Sequence, residues 1–557
     1  MCSVLWFLEG NSDQGRIIMN KEKAAACIES SLAVQYDFSS QDFFKSVEQF
    51  SGITTTCIHK CSKKRTPRHF ANKWIPGLFN AELRNLKRLR NKAYRRGDWD
   101  QVNLLRREFQ RLLRRRSRES WNTFLKQVQD HNTGTIWNFF RRSRGGRKDP
   151  PAPECKEIAD SFSEAHRIPN DLQEKMLFDN EKVQDYISNV NDLDIPVLSV
   201  DILESVIKRG SSTSSPGNDL ITYDLMKMFG PRTLEALTHL YNLSLREGSF
   251  YSEWKKAKIY ALRKPAGGYR GISLLSVLGK TLEKIVYFHL KQAVKIPEEQ
   301  FAFKGTDQAL SRFFGWLNEK PTEVHYCVFL DVVKAFDRVS HSKLLEILVN
   351  EYVPPWIVRW VKSFLQDRSA RIGNFSYSLE NGVPQGCVLS PLLFCLYIKH
   401  LLMDIDSSIF RQGYADDLVF GSRSGPGSVN KLQRTLNSIH QRATGLGVQF
   451  DIGVKKSAAM WITLNKNVRK PSKPLLKLGG KFVPWTNLYK YLGIILDNRL
   501  TMKEEVTKRI KDGRKRNLLI FRLKTCTTRT LRSLWIGYCR SAVAYGLKHY
   551  WFHLSKA

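Results

Sequence analysis

The sequence predicts an α+β fold preceded by a basic helical extension, and three observations carry that reading. Hydrophobic residues make up 42% of the 557 residues and aromatic residues 11%, enough to build a substantial core and too much for a disordered chain. From about 200 to about 500, short strand-like apolar runs alternate with helical patterns, as expected of a mixed domain. From Trp74 to Phe140, Leu and aromatic residues recur at three- and four-residue steps with Arg and Lys on the other faces, the period of an amphipathic helix.

Taken in order, residues 1–60 are mixed and show no strong pattern. Residues 61–148 hold 25 Lys/Arg against 6 Asp/Glu, an excess of +19, which is about half of the net charge of +36. Gly97-Asp98 predicts a turn between two basic helices. RRSRGGRKDPPAP, 141–153, combines charge, Gly and Pro and reads as linker. DILESVIKR, 201–209, predicts a short amphipathic helix, and SSTSSPGND, 211–219, a polar loop. Beyond 500, TMKEEVTKRIKDGRKRNLLIFRLK and TLRSLWIGYCRSAVAYGL predict helices, and there is no internal repeat. The charge points to a polyanionic partner, because Lys and Arg gain by releasing counterions from a phosphate backbone. Ten scattered cysteines without a CxxC pair argue against a disulfide scaffold or a zinc ribbon, and Cys57, His59 and Cys61 lack a clear fourth ligand. MCSVLWFLEG has no basic lead or small-residue cleavage site, and no apolar run reaches about 18 residues. The expectation is a soluble protein of a reducing compartment, with no membrane partner.

Two segments concentrate carboxylates. HYCVFLDVVKAFDRVSH, 325–341, opens with a run apolar on both faces, which suggests a central strand, and that strand ends in Asp331. A carboxylate closing a buried strand is costly unless paired or metal-bound, although a helix-capping Asp is the plain alternative. FRQGYADDLVFGS, 410–422, predicts a β-hairpin with Asp416 and Asp417 at its tip. Neighbouring strand residues face opposite ways, so one of the two should be the main ligand, and Asp416 is preferred. A lone Asp-Asp pair is more often a polar turn. Together, three Asp side chains on neighbouring strands offer only hard oxygen donors, which suit Mg²⁺. Two such ions roughly 3.5–4 Å apart can activate an attacking hydroxyl and stabilise a leaving phosphate oxygen.

These residues resemble a family. YADD, 414–417, is similar to motif C of reverse transcriptases, LDVVKAFDRVSH, 330–341, to motif A, and ENGVPQGCVLSPLLFCLYI, 380–398, to motif B. RKPAGGYRGISLLSVLGKTLEKIV, 263–286, resembles the fingers block of non-LTR (LINE-type, jockey-like) elements, and QFAFKGTDQAL, 300–310, the block after it. GLGVQFDIGVKKSAAMWIT, 445–463, is similar to motif D, LYKYLGIILDNRL, 488–500, to motif E, and SPGNDLITYDLMK, 215–227, to the upstream block of non-LTR enzymes. The boxes stand in family order. The AFD and LSPLLF forms favour the non-LTR branch over retroviral enzymes, and YADD rather than GDD argues against a viral RNA-dependent RNA polymerase.

The resemblance implies a right-hand polymerase: fingers, a palm with a small antiparallel sheet, and a helical thumb. It implies an RNA-directed DNA polymerase with two Mg²⁺ ions, or Mn²⁺ in their place, bound by Asp331, Asp416 and Asp417. Phe336 falls at the steric gate against a ribose 2′-OH, with a plain core aromatic as the alternative. Lys264 and Arg270 lie where the fingers hold the triphosphate, and Gln385 and Gly386 match the turn that meets nucleotide and template. Ser390 is expected to cap a helix with Pro391 in its first turn. Lys456 matches the motif D lysine, a candidate proton donor to pyrophosphate or else a surface lysine, and Tyr491, Leu492 and Gly493 match the primer grip. Two positions depart from the family: Gly271 stands where the fingers block has Pro, and Gly453 where motif D has Asn.

The implied organisation is an N-terminal lead over 1–60, a remnant of the connector that follows an endonuclease, then a basic connector and nucleic-acid arm over 61–150. A linker over 151–198, fingers and palm over 199–497, and truncated thumb-like helices over 498–557 complete it. The implied partners are template RNA, a DNA primer or target DNA, dNTPs, and an endonuclease supplied elsewhere, in a nuclear or cytoplasmic ribonucleoprotein. Two other readings stand beside this one. One is a catalytically impaired, nucleic-acid-binding retroelement remnant, motivated by Gly271 and Gly453. The other is an organellar intron-encoded enzyme, disfavoured by the non-LTR form of the fingers block.

Overall fold

In the computed structural model the chain divides into two units, residues 1–67 with 149–500 and residues 68–148 with 501–557. The structure describes residues 16–65, 81–129, 152–167, 181–212, 214–264, 268–465, 467–468, 471, 473–521 and 528–554. Most of the 141–153 stretch lies outside them.

The first unit carries the strands β1 (Arg16–Met19), β2 (Ser62–Arg65), β3 (Lys256–Arg263), β4 (Tyr269–Leu274), β5 (His325–Asp331), β6 (Arg368–Ile372) and β7 (Phe375–Leu379). It continues with β8 (Phe410–Tyr414), β9 (Asp417–Arg423), β10 (Ala458–Ile462), β11 (Lys477–Leu478), β12 (Lys481–Phe482), β13 (Leu488–Tyr491) and β14 (Ile494–Asp497). One four-stranded sheet has the order β10-β5-β9-β8, antiparallel throughout. A second has the order β4-β3-β6-β7, with β3 and β6 parallel. β5 is the central strand expected from its apolar run: Tyr326 to Leu330 are buried, and only Asp331 at its end is partly open.

Helices cover these sheets. The helix Ser390–Ile398 is apolar all round and buried at every residue except Pro391, as such a pattern requires. Residues 21–60, which show no clear pattern in the sequence, form the helices Lys21–Gln35 and Phe43–Lys60 and join the same core. Each caps or is capped by the helix Pro231–Glu247: Glu29 accepts from the Arg232 and Thr233 N–H groups, and Glu247 accepts from the Phe43 N–H. The Cys57 and Cys27 sulfurs lie 2.8 Å apart between the first two of these helices. The segment 151–198, expected to be linker, carries the helices Ala152–His166 and Glu181–Ser188. The reason is a face the Gly- and Pro-rich flank obscured: Ile158, Ala159, Phe162 and Ala165 share one side and pack into the core.

In the second unit, the helices Ala81–Arg95 and Trp99–Gln129 fold back on each other at Gly97, whose φ of 73° suits the turn, and Arg116 reaches Glu82 at 3.3 Å. Asp98 caps the second helix by accepting from the Gln101 N–H. The C-terminal part is also helical, Lys503–Phe521, Thr528–Leu534 and Leu547–Leu554 among its elements. Its fully buried Glu505 is neutralised by Arg509, one turn on, and by Lys508 at 3.6 Å. Among the described residues, no helix is long and apolar enough to cross a membrane.

Candidate active site

The site is built at one end of the antiparallel sheet. β5 and β9 pair so that Asp331 stands directly opposite Asp417, and both therefore point to the same face. Asp416 sits in the two-residue turn between β8 and β9, beside Ala415, whose φ of 53° is the left-handed conformation a tight hairpin needs. Ala415 is an uncommon residue there, and a buried Gln300 secures it. Gln300 Oε1 accepts from the Ala415 N–H at 2.8 Å, and Gln300 Nε2 donates to the Ala415 carbonyl at 3.4 Å. Gln300 opens the block 300–310, and the sequence carries no local signal for this clamp.

Electrostatically the three carboxylates are in conflict. Burial, then the charges of Asp416 and Asp331, push Asp417 up to about 7, and burial followed by Asp331 raises Asp416. Lys456 opposes them most directly: its Nζ lies 2.6 Å from Asp331 Oδ2 and 3.9 Å from Asp451 Oδ2. The hydrogen bond to Asp331 raises the Lys456 ammonium above its ordinary value. The backbone around it is fixed, with Tyr489 O–H donating to the Lys456 carbonyl and the Ser457 hydroxyl accepting from the Asp331 N–H. Among the described residues, no three His, Cys, Asp or Glu side chains are already drawn together into a metal cage. The donor set nevertheless fits a hard divalent cation: it offers oxygens only, on one sheet end, with a mutual repulsion that such an ion relieves.

The second half of the site comes from β4 and the turn before the helix Ser390–Ile398. Arg270 Nε donates to Gln385 Oε1 at 3.3 Å, and the Ser273 N–H donates to the Gln385 carbonyl at 2.8 Å. Gly386 has a φ of 127°, and a Cβ there would lie 2.6 Å from the Ser273 carbonyl oxygen, so only glycine fits this close approach. Gln385 Nε2 donates to Asp337 Oδ1 at 3.1 Å, and His166 Nε2 stands 3.7 Å from the same oxygen. Arg270 also faces the charge of Asp416, which joins the two halves. Lys264 is solvent-exposed at the end of β3, its N–H donating to the Gly268 carbonyl. Phe336 is half-buried and stacks on Phe394 at 4.7 Å.

Sequence reading missed Gln300, Asp337, His166 and Glu283. The last accepts from the Val388 and Leu389 N–H groups in place of the expected Ser390 cap. Ser390 is the first helical residue rather than the cap, and the cap position, Leu389, has no side-chain bond of its own. Tyr491 is buried, packed on Phe313 and Phe329, and its hydroxyl accepts from Gln412. Its ring is therefore a support, while Leu492 and Gly493, with φ of 43° and 85°, form the two-residue turn joining β13 and β14.

Residues 262–496 match the family model described as reverse transcriptase (RNA-dependent DNA polymerase). That range contains the Asp331–Asp417 pair, Asp416, and the Arg270–Gln385 contact. The chain carries a reverse transcriptase domain of the non-LTR retrotransposon kind. It is 28% identical over 481 residues to the "RNA-directed DNA polymerase from mobile element jockey" of Drosophila melanogaster, covering 78% of this chain and 51% of that one. It is 28% identical over 355 residues to the "Probable RNA-directed DNA polymerase from transposon X-element" of the same fly, covering 59% of this chain and 38% of that one. A third relative there, "Probable RNA-directed DNA polymerase from transposon BS", is 26% identical over 519 residues, covering 84% and 56%. The chain thus spans about half the length of the curated relatives it matches.

Of the two departures from the reverse transcriptase pattern, the structure gives a physical ground for Gly271. A Cβ at Gly271 would meet the Phe162 ring at 3.2 Å and Ile259 at 3.3 Å, so glycine makes room for the helix Ala152–His166. At Gly453 a Cβ would meet nothing within 4 Å, and nothing in the structure explains the glycine there.

Proposed function

We propose that the chain is an RNA-directed DNA polymerase that extends a primer 3′-OH with dNTPs on an RNA template. The observation that carries this reading is the register placing Asp331 opposite Asp417, with Asp416 at the hairpin tip and Arg270–Gln385 alongside. In this reading the β10-β5-β9-β8 sheet is the palm, the β4-β3-β6-β7 sheet belongs to the fingers, and the helices after 501 are the thumb. Asp331, Asp416 and Asp417 would hold two Mg²⁺ ions, or Mn²⁺, which ease deprotonation of the attacking hydroxyl and stabilise the leaving phosphate oxygen. The chain's own groups do the rest. Arg270 forks onto phosphate oxygens, and Lys264 adds a point charge to the triphosphate. Gln385 and Gly386 meet the base pair. Phe336, braced by Phe394, crowds a ribose 2′-OH and selects dNTPs. Lys456, kept protonated by Asp331, gives its proton to the pyrophosphate as that leaves. The turn at Leu492-Gly493 supports the primer end.

The partners in this reading are template RNA, a DNA primer or target DNA, dNTPs and an endonuclease activity supplied elsewhere. The place of action is a nuclear or cytoplasmic ribonucleoprotein. The helix pair Ala81–Arg95 and Trp99–Gln129 is the nucleic-acid arm. The test is dNTP incorporation on a primed RNA template with Mg²⁺. Asp416→Asn should lower synthesis by at least about a hundredfold, because a neutral amide is a weak ligand for a hard dication. A chelator should abolish synthesis by the unmutated chain. Undiminished synthesis by Asp416→Asn removes the assignment, and salt-sensitive RNA binding without synthesis by the unmutated chain replaces it with the nucleic-acid-binding remnant.

A further inference from the structure

The turn from Gln385 to Leu389 is held by a carboxylate more than a hundred positions earlier in the chain. Glu283 lies in the middle of the helix Val277–Ala293, which follows β4 after a short connection. It is 1% exposed. A Glu is almost never so buried unless its oxygens are used, and here one oxygen takes two donors: the N–H of Val388 at 2.7 Å and that of Leu389 at 3.3 Å. These groups lead into the helix Ser390–Ile398, whose N-terminus favours negative charge. The cations facing Glu283 are Arg368 and Lys280. At the other end of the turn, the Ser273 N–H holds the Gln385 carbonyl at 2.8 Å. β4 and the helix after it thus grip both ends of a five-residue turn whose second residue, Gly386, leaves no room for a Cβ beside the Ser273 carbonyl.

We propose that Glu283 is a positioning residue that sets where the Gln385–Gly386 turn meets the incoming nucleotide. The inference rests on the polymerase reading above. It differs from a plain core cap in what it predicts: a lost cap lowers stability, whereas a displaced turn weakens nucleotide binding in the molecules that do fold. Both N–H groups use one oxygen, so Gln can keep the acceptor, while Ala and Leu cannot.

The experiment is steady-state dNTP incorporation on a primed RNA template by the full chain and by Glu283→Gln, Glu283→Ala and Glu283→Leu. Hydrogen exchange of the peptides covering 384–390 is measured in parallel. A turn that has lost both hydrogen bonds no longer holds Gln385 and Gly386 in place, so Glu283→Ala and Glu283→Leu should raise the KM for dNTP by about tenfold. Their kcat should change by less than about threefold, since the carboxylate end of the sheet is untouched. The 384–390 peptides should exchange faster while those of β5 and β9 stay protected. Glu283→Gln should recover most of the affinity and the protection. A parental KM with faster exchange overturns the inference, as does a kcat and folded fraction that fall together at unchanged KM. An unmutated chain that incorporates no dNTP overturns the polymerase reading itself, and the inference with it. That failure is seen in the unmutated chain, so the two are distinguishable.

Discussion

Asp331 and Asp417 stand opposite each other across β5 and β9, an arrangement that destabilises a sheet unless something positive joins them. Asp417 is the residue whose protonation records the conflict, since burial and two neighbouring carboxylates hold it at about 7. Its unfolded value lies near 3.9. Between about pH 4 and 7 the folded chain therefore binds more protons than the unfolded chain, so its stability falls as pH rises through that window. Asp416 is shifted the same way, by burial and by the charge of Asp331. Without divalent ions, Asp417→Asn should flatten this slope and raise the Tm at pH 8 by a few degrees. Thermal melts from pH 4 to 8 in chelator check it, and equal slopes in the two proteins count against it. The identity of these three residues was legible in the sequence, from an apolar run ending in Asp and an Asp-Asp pair in a hairpin. The proton on Asp417 was not, because it depends on a register that pairs residues 86 positions apart. Gly271 follows the same rule: along the chain it is only a departure from Pro, and its reason appears with Phe162 packed over it.

At the scale of an element, the β8–β9 hairpin carries backbone strain at its turn. Its turn puts Ala415 in a conformation that costs an L-residue roughly 1–2 kcal/mol, and Gln300 offsets this with two hydrogen bonds. Gln300→Ala should leave the Ala415 N–H and carbonyl without those partners and lower stability by about 1–3 kcal/mol. Synthesis should fall further than stability, because the same turn carries Asp416. Urea unfolding beside a kinetic assay reads both, and an unchanged midpoint would remove Gln300 from this role. The hairpin, the central β5 and the helix turn at Gly97 followed from periodicity and turn chemistry. The cap of the helix Ser390–Ile398 did not. A Ser before Pro is a local signal, and it was overridden by Glu283, which is remote in the chain and near in space. The linker expectation at 151–198 failed for a related reason, since an apolar face counts only once there is a surface to bury it.

For the whole molecule, charge is the property that reaches farthest. Arg84, Lys87, Arg88, Lys92 and Arg95 line one hollow with Asn91 on the helix Ala81–Arg95, inside the stretch of greatest basic excess. If this surface follows a phosphate backbone, changing Lys87, Arg88, Lys92 and Arg95 to Gln should weaken RNA binding about equally for unrelated sequences. The slope of log affinity against log salt should fall by about 0.7 for each single-strand phosphate that these side chains no longer neutralise. Titrations at several salt concentrations measure it, and an unchanged slope places the RNA elsewhere. The reverse transcriptase core depends on a different kind of information. Composition, hydropathy period and short motifs are properties of neighbours along the chain, so the sequence alone determined the α+β class, the basic helical arm and the carboxylates Asp331, Asp416 and Asp417. The tertiary structure alone decided that Asp331 faces Asp417, that Gln300 holds the turn between Tyr414 and Asp417, and that Glu283 grips the approach to Ser390. It also brought residues 21–60 and the helix Ala152–His166 into the core. Each of these joins partners far apart in the chain, and such contacts exist only after burial has brought their backbones together.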